Sequence, residues 1–485
     1  MTHLNVVAAT PQIIVAAAGV LAMSMGLFNR YEIRRYGPSA ISLAGIVAAF
    51  VMIVLLWGDR EEAFGGGIRS DRFSLLLSAI FLVSAALVIG LAWRESAAVD
   101  RRGEFAGLVM VAVAGMMLVA SAGDLIVLFL GIETLSVALY VLCALEVWRE
   151  RSLESGLKYL ITGAVGSSIL LYGFALLFGA TGTVDLAEIG EQLGGTSFAG
   201  EPLVIAAMAL IVVGLGFKAS AVPFHMWTPD VYEGAPTSIT AFMSTATKAA
   251  ALAAFLRIFQ GVLPDLAGDW RVAIAVLAVA SIVVGNVAAL AQDSLKRMLA
   301  YSSIAHAGYL LIGVAAGSVQ GAEAVIYYLI VYLAMTMTAF AVVIIREREV
   351  ENGEMLEAFA GYARARPVLG VAATLAMLSL AGFPPLAGFI GKFLLFSAAV
   401  EANMTWLAIV GALGSVVSLG YYLRILGVMW LGTPADGERP ARLLAVPAPV
   451  MMATGTAAIA IIGLALFADP MIDISRGAAE ALLAP

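Results

Sequence analysis

Residues Leu203–Asp230, LVIAAMALIVVGLGFKASAVPFHMWTPD, form an apolar run that carries a lysine, Lys218, and breaks at Pro223 into polar and aromatic residues. About 20 apolar residues cross a bilayer as a helix, so the run reads as a membrane helix. Proline removes a backbone donor and clashes with the preceding turn. Inside a membrane such a break persists only where the freed groups face protein or a water-filled cavity. An ammonium buried beside it costs several kcal/mol unless it is paired or hydrated. This stretch therefore implies a membrane fold with a polar pathway in its interior.

The composition agrees. Of 485 residues, 62% are hydrophobic and 13% charged, against about 25% charged in an ordinary soluble domain. An all-α, polytopic membrane protein is expected. Acids such as Asp185, Glu188, Glu191 and Glu201 crowd one loop, and no basic patch suggests nucleic acid. Cys143 is the only cysteine, which excludes a disulfide framework and a cysteine-built metal site. The N-terminal span lacks a charged leader and reads as a retained helix.

Fourteen apolar segments meet the length requirement: 11–28, 38–57, 71–93, 104–121, 124–146, 156–180, 203–222, 237–260, 271–290, 297–317, 321–345, 367–400, 404–430 and 447–468. The twelfth is too long for one simple crossing and holds a second break at Pro384 and Pro385. Of the 21 Lys and Arg outside helices, 16 lie in loops after odd-numbered segments. That bias places the odd loops in the cytoplasm and both termini outside.

The chain also repeats weakly at an offset of roughly 168 residues. GFKASAVPF from Gly216 aligns with GFPPLAGF from Gly382, and LRI recurs at Leu256–Ile258 and Leu423–Ile425. Each unit holds five segments, an odd number, so the two copies must be inverted relative to each other. The expected organisation is 1–103 for the first three helices, 104–260 and 271–430 for the two inverted repeats, and 431–485 for the last helix.

Lys218, Lys248, Lys392 and Lys158 all fall within apolar segments, as do Glu133 and His306. Lys248 is too far from either end of its helix to reach the interface. Lys392 follows the second break, where snorkelling along the half-helix is a rival reading. Lys158 lies near a helix start, beside Glu154 at i,i+4, and reads equally as an interfacial anchor. His306 and His225 are candidate relay groups, although a buried histidine often serves only as a hydrogen-bonding group. Asp230 and Glu233 read as stabilisers of the loop into the eighth segment. The chemistry such groups suit is proton transfer: burial and a neighbouring carboxylate move a lysine's proton affinity in opposite directions.

GLGFKASAVPFHMWTPDVYEGAPT (Gly214–Thr237), KRMLAYSSIAHAGY (Lys296–Tyr309) and AGFPPLAGFIGK (Ala381–Lys392) together resemble the subunit N family of bacterial NADH:quinone oxidoreductase, respiratory complex I. That family is one of three antiporter-like membrane subunits, and the resemblance covers nearly the whole chain. It implies a functional pair of Glu133 with Lys218, then a relay through Lys248 and Lys392 along the bilayer midplane. It further implies a bacterial cell membrane location and neighbouring complex I subunits as partners. No cofactor is expected on this chain, which has no GxGxxG after a strand and no cysteine cluster. NADH, flavin, iron–sulfur clusters and quinone are expected in partner subunits. Two other readings are a multisubunit cation/proton antiporter subunit of the same fold and a membrane scaffold without transport.

Overall fold

Asp71, Asp124, Ser294 and Ser318 each accept a backbone N–H in the first turn of a helix, satisfying donors that a helix start leaves free. These caps fix where long apolar helices begin. The computed structural model describes residues 6–95, 101–194, 201–433 and 443–483. The first helices are α1 (Thr10–Gly26), α2 (Tyr31–Leu55), α3 (Arg72–Leu91), α4 (Arg102–Ser121), α5 (Leu125–Cys143) and α6 (Glu150–Thr181). A two-stranded hairpin, β1 (Glu61–Ala63) with β2 (Ile68–Ser70), precedes α3. Next come α7 (Leu186–Leu193), α8 (Pro202–Ala219), α9 (Trp227–Gly234) and α10 (Thr237–Val262). The second half runs through α11 (Ala267–Leu290), α12 (Leu295–Ala316), α13 (Val319–Glu347) and the short α14 (Tyr362–Ala365). It ends with α15 (Pro367–Ala381), α16 (Ala387–Glu401), α17 (Thr405–Leu431), α18 (Ala448–Leu466) and α19 (Ala468–Leu483).

The protein is therefore an all-α polytopic membrane protein. Among the described residues, 13 helices are long and apolar enough to cross a membrane. The remaining expected segment, 367–400, is divided between α15 and α16, each of 15 residues. The α7, α9, α14 and α19 helices had no counterpart in the sequence reading, and Glu188 and Glu191, expected in a loop, lie on α7 with Asp185 capping its start. The expected boundary at 431 adjoins 434–442, which lies outside the described residues.

Burial is unequal around the bundle. Helices α10, α12 and α13 are enclosed almost completely, whereas α2, α6, α17 and α18 show much of their apolar surface to the exterior. A helix that is apolar all round belongs inside; polar groups carried on such a helix are shielded from lipid. The first break begins at Ser220 in the left-handed region, φ 61°. Its freed Val222 N–H donates to Ser281 Oγ of α11 at 2.9 Å. The second begins at Gly382, φ +83°, and Gly388 N–H donates to Ser379 Oγ at 3.0 Å. In both, a serine from a packed helix or helix end replaces a lost backbone partner, as a break inside a membrane requires. Two isolated β-bridges, Asp124–Asp185 and Ser294–Met355, tie the starts of α5 and α12 to later segments.

Candidate functional site

Three lysines are almost sealed from the exterior: Lys218 is 5% exposed, Lys248 1% and Lys392 3%. Lys218 stands in the last turn of α8, where free carbonyls and the helix dipole favour a cation. Its ammonium donates to Ser136 Oγ of α5 at 2.8 Å. Glu133 is one turn earlier on α5, in electrostatic reach of Lys218, but the lysine's hydrogen bond goes to the serine. Glu133 Oε1 is shut off from solvent without a hydrogen-bond partner among the described residues.

Lys248 occupies the middle of α10, directly after the π-helical turn Met243–Thr247. Its ammonium donates to the Ser303 carbonyl and, at 2.6 Å, to Ser303 Oγ of α12. Such turns loosen the regular i→i−4 ladder and recur at functional positions in helices. Lys392, on α16, reaches back across the second break and donates to Ala381 O at the end of α15, 3.1 Å away. Its Nζ also lies 4.6 Å from the centroid of the Tyr309 ring, within cation–π range. The two differ in setting: Lys218 belongs to the helix before Pro223 and is held by a serine of α5, whereas Lys392 belongs to the helix after Pro385 and is held by the carbonyl end of α15.

His306, 1% exposed on α12, lies in the field of both Lys248 and Lys392. Its Nδ1 is hydrogen-bonded to Tyr328 OH at 2.8 Å and its Nε2 to Tyr422 OH at 3.1 Å. Tyr309 OH and Tyr421 OH meet on Asn286 at 3.1 and 3.0 Å. None of these tyrosines, nor Ser136, Ser303 or Asn286, was singled out from the sequence. The pair Tyr421–Tyr422 directly before the LRI repeat and the double serine before His306 were the available signals.

Lys158 belongs elsewhere. It pairs with Glu154 at 2.7 Å and Asp230 at 3.0 Å, and its side chain is 43% exposed. Arg297 joins the same network through Asp230 at 2.8 Å and Glu233 at 3.0 Å. Asp230 and Glu233 are ion-pair partners here as well as part of the connection into α10. His225 is partly exposed in the first break, and no side-chain hydrogen bond joins it to the lysines.

Cavities open at both ends of α10. One of about 710 Å³ lies at its start, bordered by Glu95, Glu146, Thr237 and Glu347. The other, about 250 Å³, lies at its finish beside Arg257 and Val262. Glu95 accepts the Ser238 N–H at 3.1 Å and the Ser238 hydroxyl. Burial nevertheless outweighs those bonds and pushes its carboxyl up to about 7. Arg257 is held by Asp71 at 3.3 Å and by the Ala120 carbonyl, a lock between α10, α3 and α4. Among the described residues, no three His, Cys, Asp or Glu side chains converge as a metal site.

The site thus holds buried amines, an imidazole and hydroxyls, side chains chemically suited to passing protons. Residues 122–418 match the family described as NADH:quinone oxidoreductase/Mrp antiporter, TM. The chain is 41% identical over 456 residues to NADH-quinone oxidoreductase subunit N of Trichlorobacter lovleyi, covering 93% of this chain and 92% of that one. It is 39% identical over 485 residues to subunit N of Paramagnetospirillum magneticum, covering 99% and 98%. A chain of respiratory complex I from Thermus thermophilus superposes with a TM-score of 0.82 at 37% identity, covering 96% of this chain and 99% of that one. The chain belongs to the NADH-quinone oxidoreductase subunit N family of antiporter-like membrane proteins.

Proposed function

We propose that the chain works as a proton-translocating membrane subunit of a bacterial NADH:quinone oxidoreductase, moving protons through Glu133, Lys218, Lys248, His306 and Lys392. Electron transfer from NADH to quinone takes place in partner subunits, which hold the flavin, iron–sulfur clusters and quinone. The carrying observation is Lys248, a 1% exposed amine mid-way along the most enclosed helix. Among the described residues it is held by the carbonyl and hydroxyl of Ser303, and no carboxylate forms an ion pair with it.

On this reading Glu133 governs Lys218, which lies in its field. Movement of its carboxylate toward the ammonium strengthens proton holding, and movement away favours release. Lys158, Glu154 and His225 stand outside this line and serve its rim or anchoring. The basic-residue bias supports cytoplasmic odd loops and termini on the outer side, so the start of α10 faces the cytoplasm. Reporter fusions at the C-terminus test that orientation.

The two-repeat reading, 104–260 and 271–430, is supported by the bridges Asp124–Asp185 and Ser294–Met355, whose members are separated by the same 170 residues. Superposing α4–α10 on α11–α17 tests it; parallel copies sink it.

The functional reading is tested by proton pumping in inside-out membrane vesicles, with complex abundance read on native gels. Charge-neutralised variants that assemble yet pump normally would leave the chain a scaffold.

A further inference from the structure

Ser302 and His306 are four residues apart on α12 and so share a face. Both meet the hydroxyl of Tyr422 from α17, Ser302 Oγ at 2.5 Å and His306 Nε2 at 3.1 Å. The other imidazole nitrogen, Nδ1, meets Tyr328 OH from α13 at 2.8 Å. Ser302, Tyr422, His306 and Tyr328 are all between 0% and 2% exposed. Four groups from three helices thus make an unbroken row of three hydrogen bonds.

A neutral imidazole donates from one nitrogen and accepts at the other, and each hydroxyl donates once. The row consequently has two fully bonded polarities. In one, Ser302 donates to Tyr422, Tyr422 to Nε2, and Nδ1–H to Tyr328. In the other, Tyr328 donates to Nδ1, Nε2–H to Tyr422, and Tyr422 to Ser302. Neither polarity contains a charge.

At one end Ser302 is the chain neighbour of a lysine's partner, and at the other Tyr328 packs on the residue before a lysine. Ser302 adjoins Ser303, which holds the Lys248 ammonium. The Tyr328 ring lies flush against Gly391, the residue before Lys392. His306 feels both amines, and the Tyr332 and Tyr309 rings pack on it at 5.0 and 5.6 Å.

We propose that Ser302, Tyr422, His306 and Tyr328 form a reversible proton row between the Lys248 and Lys392 neighbourhoods, with Tyr422 and Tyr328 as its hydroxyl carriers. The proposal rests on the proton-translocation reading above. In one passage a proton arrives at Ser302 and the Ser302 proton moves to Tyr422. The Tyr422 proton moves to Nε2, the Nδ1 proton to Tyr328, and the original Tyr328 proton leaves. One proton enters and one exits, no bond between heavy atoms changes, and the row ends in its opposite polarity. Rotation of the hydroxyls and return of the imidazole tautomer reset it.

The experiment uses the complete complex in inside-out vesicles, with pumping expressed per assembled complex from native gels. Tyr422→Phe and Tyr328→Phe each remove one oxygen from the row. Each is expected to cut pumping about tenfold or more, the scale of losing a positioned proton carrier. The double variant is expected to equal the worse single one, because a series pathway broken once is already broken. Tyr327→Phe is the control: its hydroxyl sits on the same helix but bonds Leu464 O at 3.1 Å, and pumping should stay within about twofold of the parent.

His306→Gln separates relay from packing. Glutamine keeps a donor and an acceptor at similar reach but has no tautomer to exchange, so a relay stays blocked while a hydrogen-bonding spacer is rescued. Parental pumping in Tyr422→Phe and Tyr328→Phe, or rescue in His306→Gln, overturns the row. If Lys248→Met loses pumping in the same assay, those results leave the translocation reading intact. If Lys248→Met also pumps normally, that reading itself fails.

Discussion

Lys218 Nζ lies 2.8 Å from Ser136 Oγ, one turn along α5 from Glu133. The serine holds the ammonium while the carboxylate stays separate, an arrangement with room for a second, paired state. If the two charges act as a unit, their removals cannot be independent. Glu133→Ala and Lys218→Ala should each impair pumping in assembled complex, and the double variant should cost less than the two effects combined. Additive losses would separate the residues. Ser136→Ala removes the hydroxyl that accepts from the ammonium, and its pumping should fall less than that of Lys218→Ala.

Lys248→Met keeps length and apolar packing while removing the amine. Assembly should be spared, and pumping should drop about tenfold or more. Lys248→Arg should rescue little, since guanidinium stays charged and cannot give up its proton. Quinone-linked NADH oxidation, pumping and native-gel abundance measure this together. Parental pumping in Lys248→Met with normal assembly would assign the amine to packing.

What the sequence revealed and what it hid have separable causes. Apolar length is a local property, so the spans could be read residue by residue. Pro223 and Pro384–Pro385 fall between helices, α8 and α9 in one case and α15 and α16 in the other, because the chemistry that stops a helix is local as well. Partner choice is not local. Ser136, 82 residues from Lys218, and Ser303, 55 residues from Lys248, were hidden among many serines. Lys158, near a helix start, read equally as a relay group and as an interfacial anchor, because a hydropathy window cannot tell the inward from the outward face of α6. The α19 helix was missed because Ala468–Leu483 mixes charges with a narrow apolar face, below any membrane-span threshold.

The outward network around Lys158 predicts a mild phenotype. Exposed ion pairs contribute about 0–1 kcal/mol, and the Arg297 links to Asp230 and Glu233 remain when Lys158 is removed. Lys158→Ala should therefore assemble at parental levels and keep most of its pumping. A loss as deep as that of Lys248→Met would bring Lys158 into the relay.

Glu95 gives a pH-dependent prediction with a definite sign. Its carboxyl rises from an ordinary 4.5 to about 7 because burial beside the α10 start outweighs the two Ser238 bonds, with Glu146 and Glu347 adding repulsion. A folded-state value above the unfolded one means that the folded protein holds this proton more tightly. The resulting stabilisation is complete below about 4.5 and is lost as pH climbs through about 7. Glu95→Gln stays neutral throughout and escapes that loss, while its amide oxygen can still accept the Ser238 N–H. Heat-step survival of the assembled complex on native gels should therefore favour Glu95→Gln increasingly between about pH 5 and 7, with a constant gap above about 8. A gap that stays flat, or that favours the parent as pH rises, would mean that the Ser238 bonds outweigh burial and the carboxylate is charged in place.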